Sequence, residues 1–388
     1  MSVHPFAETE ERQALRRAVA DLAGSFGRDY FVRCARSGEH TSELWSAVGK
    51  NGYLGVAVPE EYGGGGGGVG DLAAVCEELA AAGCPLLMMV VSPAICATVI
   101  ARFGTEEQRE RWLSGFADGT TKMAFSITEP DAGSNAHRIT TTARRDGEGW
   151  LLNGRKTFIS GVDEAEAVLV VGRMEDSRTG RLKPALFVVP TDAAGFEYQR
   201  IEMELVSPEK QFTLFFDDVR LPADALVGDE DAGLLQLFAG LNPERIMAAS
   251  FSTGLARHAL SRATEYAKQR SVFEVPIGSH QAIAHPLAQS VIEIELARLM
   301  TQKAAALYDA GDDEAAGEAA NMAKYAAAEA ACATVDRAVQ TLGGNGLASE
   351  FGLGSMLVAA RAGRIAPVSR EMVLNYVSQH TLGLPRSY

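Results

Sequence analysis

The sequence predicts an α+β multidomain chain: an N-terminal α-helical domain over residues 1–120, a middle antiparallel β-barrel or sandwich over 121–231, and a C-terminal α-helical bundle over 232–388. Three observations predict it. The length of 388 residues exceeds what one core ordinarily fills. The first zone sets apolar residues at three- and four-residue spacings, as in ERQALRRAVADLAGSF and DLAAVCEELAAAG. The middle breaks into short β-branched and aromatic runs separated by turn residues, and alanine-rich helical texture then returns.

In the first zone, Leu79 to Ala101 carries no charge over 23 residues, long enough to cross a bilayer. Gly83, Pro85 and Pro93 interrupt it, so a buried internal helix is expected and no membrane insertion. Gly63 to Gly68 would accommodate a GxGxxG phosphate loop. Helices follow it, however, and not the second parallel strand that a dinucleotide fold requires, so a flexible turn is expected.

In the middle zone KMAFSIT, GWLLNGRKTFIS, EAVLVVGRM, PALFVVP and FTLFFDDVRLP read as strands. No helices lie between them to make parallel crossovers, so antiparallel pairing is expected. The cluster Asp229-Glu230-Asp231 lacks the alternating ligands of a calcium loop and reads as a solvated loop. In the last zone Ile292, Leu296, Leu299 and Ala306 form a stripe suited to a bundle core. Val335, Val339 and Leu342 repeat that spacing until Gly343-Gly344 stops the helix. Asn242-Pro243 reads as a helix start or kink.

Charge and cysteine usage exclude several function classes. Lysines and arginines number 36 against 50 acids, a formal net charge of -14. The C-terminal zone holds 13 basic and 14 acidic residues. No zone offers the basic face that nucleic acid or an anionic membrane needs. Cys34, Cys76, Cys84, Cys96 and Cys332 form an odd set without CxxC spacing, so neither a disulfide framework nor a zinc site is expected. With no signal pattern at the start, a cytoplasmic location is expected. The seven histidines make no metal pair, and no serine nucleophile elbow is present.

Longer motifs carry more. FSITEPDAGSN (125–135), LNGRKTFISG (152–161), FDDVRLPADALVG (216–228), RSVFEVPIGSHQAI (270–283), QTLGGNG (340–346) and FGTEEQRERWL (103–113) occur with definite separations. Together they resemble the acyl-CoA dehydrogenase family over nearly the whole chain, least before residue 40 and after about 350. The resemblance implies a homotetrameric FAD enzyme that oxidises the Cα–Cβ bond of an acyl-CoA thioester. An electron-transfer flavoprotein would be its acceptor.

By that resemblance, Phe125, Ser126, Ile127 and Thr128 would line the flavin, and Phe158, Ile159 and Ser160 would cover its ring. Arg270, Phe273 and Gln281 would reach a neighbouring subunit's FAD, and Gln340, Gly343 and Gly344 would pass close to that cofactor. The glycine pair also reads as a plain helix cap. Ser134 would touch the cofactor and the pantetheine or thioester region. Asn242 and Arg245 are candidates for the CoA side, with a helix cap as the other reading of Asn242.

Most members of the family carry the catalytic glutamate in a segment resembling YEGTSQI. Here that segment is Ile365-Ala366-Pro367-Val368-Ser369-Arg370, with Ala366 at the glutamate position and no acid between Glu350 and Glu371. Isovaleryl- and long-chain-type relatives place the base on the first long C-terminal helix, which here means Glu244 in GLNPERIMAAS. Glu371 is the reserve candidate, and an exposed helix-start glutamate is the plainer reading of Glu244. Helix-start amides would lower its pKa and an apolar pocket would raise it. The resemblance also gives the Ala366 backbone N–H a share in holding the thioester oxygen. A catalytically silent partner subunit, an acyl-CoA oxidase and the DNA-associated branch of the fold are the competing readings. The last would want a basic C-terminal domain.

Overall fold

A computed structural model of the chain describes residues 8–176, 179–228 and 233–386, with side chains from Gly240 onward in the last segment. Asp229-Glu230-Asp231 lies outside the described residues. Helix α1 (Glu10–Ser37) begins at Thr9, whose hydroxyl accepts from the Arg12 N–H, and breaks at Gly27, where φ is +70°. After α2 (Ser42–Lys50), α3 (Val69–Ala81) is buried along most of its length. Glu77 and Glu78 on α3 hold it among Arg16, Arg257 and Arg298.

The glycine run before α3 is not a flexible turn. N–H groups of Gly64, Gly65, Gly66 and Gly67 donate to carbonyls of Pro59, Gly55, Val58 and Val56 at 2.8–3.2 Å. A Cβ on Gly64 would stand 2.1 Å from the Val58 oxygen, so the glycines serve close backbone packing.

The uncharged stretch forms one buried helical path: α4 (Leu87–Met89), a π-helical segment (Val90–Ala97) and α5 (Thr98–Phe103). Pro93 lies inside the π-helical segment, where it lacks an N–H to donate. Among the described residues, no helix is long and apolar enough to cross a membrane. Helix α6 (Glu106–Asp118) closes the first zone with a reciprocal Thr105–Gln108 cap.

Seven strands follow: β1 (Met123–Ser126), β2 (Thr142–Asp146), β3 (Gly149–Ser160), β4 (Ala167–Glu175), β5 (Leu182–Pro190), β6 (Phe196–Ile201) and β7 (Gln211–Leu221). They form one sheet in the order β1-β4-β2-β3-β7-β6, with β5 also on β4. The purely antiparallel expectation needs correction, because β1 and β2 both pair with β4 in parallel. A parallel pair needs only a long connection, and between β1 and β4 the β2–β3 hairpin supplies it without an α-helix. Trp150, Phe187, Phe212 and Phe216 fill the core under the sheet.

The last zone begins with α7 (Gly233–Gln269) and a small hairpin of β8 (Ser271–Val272) and β9 (Val275–Pro276). Then come α8 (Gln281–Asp309), α9 (Asp313–Leu342), α10 (Gly344–Leu347), α11 (Met356–Ala362) and α12 (Arg370–Tyr376). Buried alanines such as Ala256, Ala259, Ala263, Ala323, Ala327 and Ala331 let the long helices approach closely. One expectation is narrowed here and another overturned. Pro243 lies inside α7, which removes the helix-start reading and leaves the kink. Ile292, Leu296 and Leu299 point outward at 61%, 63% and 47% exposure, and Ala306 is exposed too. The buried face of α8 runs through Leu287, Ser290, Ile294, Ala297, Thr301 and Ala304.

Candidate functional site

Strand β1 ends its ladder with β4 at Ser126, so the residues after it are held from the side by β3. The Thr157 N–H donates to the Thr128 carbonyl at 2.9 Å. Between Lys156 and Ile159 the β3–β7 register slips, a bulge that leaves Phe158 at φ +57° with 58% of its surface exposed. Left-handed backbone costs a bulky residue about 1–2 kcal/mol, so the fold spends stability to turn this ring out. Ile159 points the other way and is buried, so its side chain belongs to the sheet core. Ser160 exchanges hydrogen bonds with the Gln211 amide at 2.9 and 3.2 Å. Ser126 is fully buried, and its hydroxyl has no partner among the described residues. Phe125 is half-buried against the helical cores, while Ser134 lies exposed past the Glu129–Ala132 turn.

Glu244 lies on α7 beside the π-helical segment that packs against this strand, close enough for its charge to act on Cys96. One turn before it, a Cβ on Gly240 would stand 2.9 Å from Val99 and 3.0 Å from Ile95. Cys96, on the same π-helical segment as Ile95, has its sulfur 3.7 and 3.6 Å from the carbonyls of Met123 and Ala124. Burial holds the Cys96 thiol well above its usual range, and the Glu244 charge adds to the effect. Glu244 keeps partial solvent access, yet burial pushes its pKa up to about 7 against the opposing pull of Arg245 and Lys324. With Pro243 inside the helix, no helix-start amides are there to lower it. Burial decides the question that the sequence left open.

Two of the expected residues already hold hydrogen bonds of their own. Asn242 is buried, and its amide donates to the Asp313 carbonyl at 3.1 Å, tying α7 to α9. Its side-chain oxygen accepts from Arg245 at 3.2 Å; the Arg245 Nε has no partner among the described residues. The Ala366 N–H donates to the Ala362 carbonyl at 2.9 Å, so in this conformation it does not serve a thioester oxygen. Glu371 projects from α12 with 76% of its side chain exposed, which leaves it no buried partner site.

Sequence reasoning passed over Lys324 and the Lys156–Glu129 pair. Lys324 is buried on α9, where its ammonium donates to the Val368 carbonyl. Burial lowers its pKa to about 8. Lys156 Nζ donates to Glu129 Oε1 and to the Ile127 carbonyl, each at 2.9 Å. The available signal was a lysine on the inward face of a strand, which demands an acid within reach.

A second group lies at the other end of α7. Arg270 follows its last residue, Gln281 opens α8, and both are exposed. Phe273 and Glu274 make the hairpin turn with φ of +54° and +66°, and Phe273 is 87% exposed. Gln340, Gly343 and Gly344 are exposed at the end of α9, and nothing stands within 4 Å of a Cβ on either glycine. The Asn345 amide donates to the Tyr266 hydroxyl at 3.0 Å, joining that turn to α7. Arg270 and Glu244 are 26 residues apart, which along a helix is about 40 Å.

Three domain families match in chain order: acyl-CoA dehydrogenase N-terminal domain over residues 9–120, middle domain over 124–219 and C-terminal domain over 231–382. Similar sequences include acyl-CoA dehydrogenase FadE12 of Mycobacterium tuberculosis, 66% identical over 99% of both chains. The mitochondrial short-chain specific acyl-CoA dehydrogenase of Bos taurus is 34% identical over 97% of this chain and 92% of that one. Among solved structures, butyryl-CoA dehydrogenase from Megasphaera elsdenii superimposes with a TM-score of 0.91 at 29% identity, covering 98% of this chain and all of that one. A glutaryl-CoA dehydrogenase from Mycobacterium smegmatis, solved in complex with FADH2, gives 0.90 at 26% identity over 98% and 96%.

Proposed function

We propose, from the premise that the chain belongs to the acyl-CoA dehydrogenase family, that it converts an acyl-CoA thioester to the trans-2-enoyl-CoA with Glu244 as the base. As a family member it is an FAD-dependent oxidoreductase. The residues present fit that cofactor. The unpartnered Ser126 hydroxyl, the outward Phe158 and the bare backbone of Gly343-Gly344 are polar, aromatic and open features that a flavin dinucleotide can use. Phe125 to Thr128, Phe158 and Ser160 would hold the ring of one FAD. Arg270, Phe273, Gln281, Gln340, Gly343 and Gly344 would hold the far end of a neighbour's.

Bound FAD supplies the acceptor for the hydride leaving Cβ. The chain's own task is the α-proton. A carboxylate with a pKa near 7 is ionised often enough to accept it, and basic enough to draw it off. Arg245 and Lys324 favour the charged form that must be present at the start. The observation that carries the reading is this carboxylate beside Cys96, its pKa raised by burial, while position 366 offers only a methyl group.

The finer proposals follow from the same parts. A homotetramer is proposed because the two groups along α7 are too far apart to grip one cofactor. An electron-transfer flavoprotein is proposed as acceptor on family grounds, and a cytoplasmic site because all five thiols are free. Domain boundaries are proposed at 120/121 and 231/232.

Stopped-flow reduction by an acyl-CoA tests the base. Glu244→Gln should still bind FAD and thioester but slow flavin reduction roughly 10²–10⁴-fold, the range for a lost general base. Glu371→Gln should reduce nearly normally. The reverse pattern would move the base to Glu371, and indifference to both changes would favour a catalytically silent subunit.

A further inference from the structure

Residues 127–129 leave the sheet ladder and yet carry backbone that borders the proposed ring site. What fixes them is a buried ion pair. Lys156 is fully buried and Glu129 is 4% exposed. The ammonium grips the Ile127 carbonyl and Glu129 Oε1, both at 2.9 Å. Oε1 also accepts from the Thr141 N–H at 2.9 Å, while Oε2 accepts from the Thr140 N–H at 2.6 Å and its hydroxyl at 2.8 Å. Four donors saturate the carboxylate, so it has no lone pair to offer a substrate. One residue along β3 is the Thr157 N–H that meets Thr128, and one further is Phe158 in its left-handed turn. The pair thus ties together the three backbone segments on which Thr128 and Phe158 depend.

We propose that Lys156 and Glu129 are positioning residues for the FAD site: the pair fixes the 127–129 edge against β3 and thereby sets how the flavin ring is seated. The inference rests on FAD binding at this edge and is independent of which residue is the base. A charge pair specifies a single register here better than apolar packing would, because the carboxylate's four donors and the ammonium's two acceptors come together in this arrangement.

The test uses the full-length protein and FAD itself. Lys156→Met should weaken FAD binding at least tenfold and change the visible circular dichroism of the flavin that remains bound. In the double variant Lys156→Met/Glu129→Gln no unpaired charge is left, so folding should recover. Its flavin dichroism should stay altered, and its kcat should fall more than tenfold with KM for acyl-CoA within about threefold. Lys156→Arg should restore the wild-type dichroism in part. A folded double variant matching wild type within twofold in FAD affinity, with unchanged dichroism, would reduce the pair to a structural tie and overturn the proposal. So would arginine and methionine behaving alike. Glu244→Gln separates the two readings, since it should leave dichroism and FAD affinity intact while slowing reduction.

Discussion

A glutamate at 244 is useful as a base only when ionised, and burial moves that ionisation to about pH 7. The acid limb of the kcat/KM profile should therefore lie near 7, with activity rising as pH rises through it. Lys324 favours the ionised form, so Lys324→Met should carry the limb to higher pH; a limb that stays in place would deny the lysine this role. The sequence told where Glu244 stands through its motif context and the methyl at 366. It could not tell that the Asn242 amide is spent on Asp313 or the Ala366 N–H on Ala362, because both bonds end on backbone carbonyls that no side-chain pattern marks. Phe158 stood out in the sequence only as a candidate, and the left-handed turn that exposes it was not legible.

The helical path from Leu87 to Phe103 packs against both α7 and β1, and its first N–H is held from another zone of the chain. Glu209, in the β6–β7 connection, accepts from the Leu87 N–H at 2.9 Å and is 4% exposed. Burial lifts its pKa from 4.5 to about 7. Folding therefore takes up a proton at Glu209 between those values, and the stability linked to it is full below pH 4.5 and lost as pH rises through 7. Glu209→Gln keeps the acceptor and removes the ionisation. Thermal unfolding should show the variant more stable at pH 8 by about 3 kcal/mol and nearly unchanged at pH 4. The helical and strand texture of these elements was legible from residue period alone. Period did not say which way α8 faces: its small residues pack inward against α9, so the longer Ile292, Leu296 and Leu299 are left outside. Nor did it reveal that β4 has parallel neighbours, since a hairpin can replace the helix that parallel pairing usually requires.

At the scale of the whole molecule, the outward stripe on α8 and the exposed Phe273 turn give one chain two apolar surfaces that a single copy leaves in water. Ile292→Asp with Leu296→Asp should dissociate the proposed tetramer in sedimentation and release FAD, leaving the helical circular dichroism intact because the inward face of α8 is untouched. An assembly of unchanged size would send the search for the interface elsewhere. The length of α7 has a further consequence if each site takes its base from one chain and its far anchor from the next. A chain lacking Glu244 and a chain lacking Arg270 would each be defective alone. In a mixed pair, one site would collect both lesions and the other neither, so two broken alleles in the same cell would make a working enzyme between them.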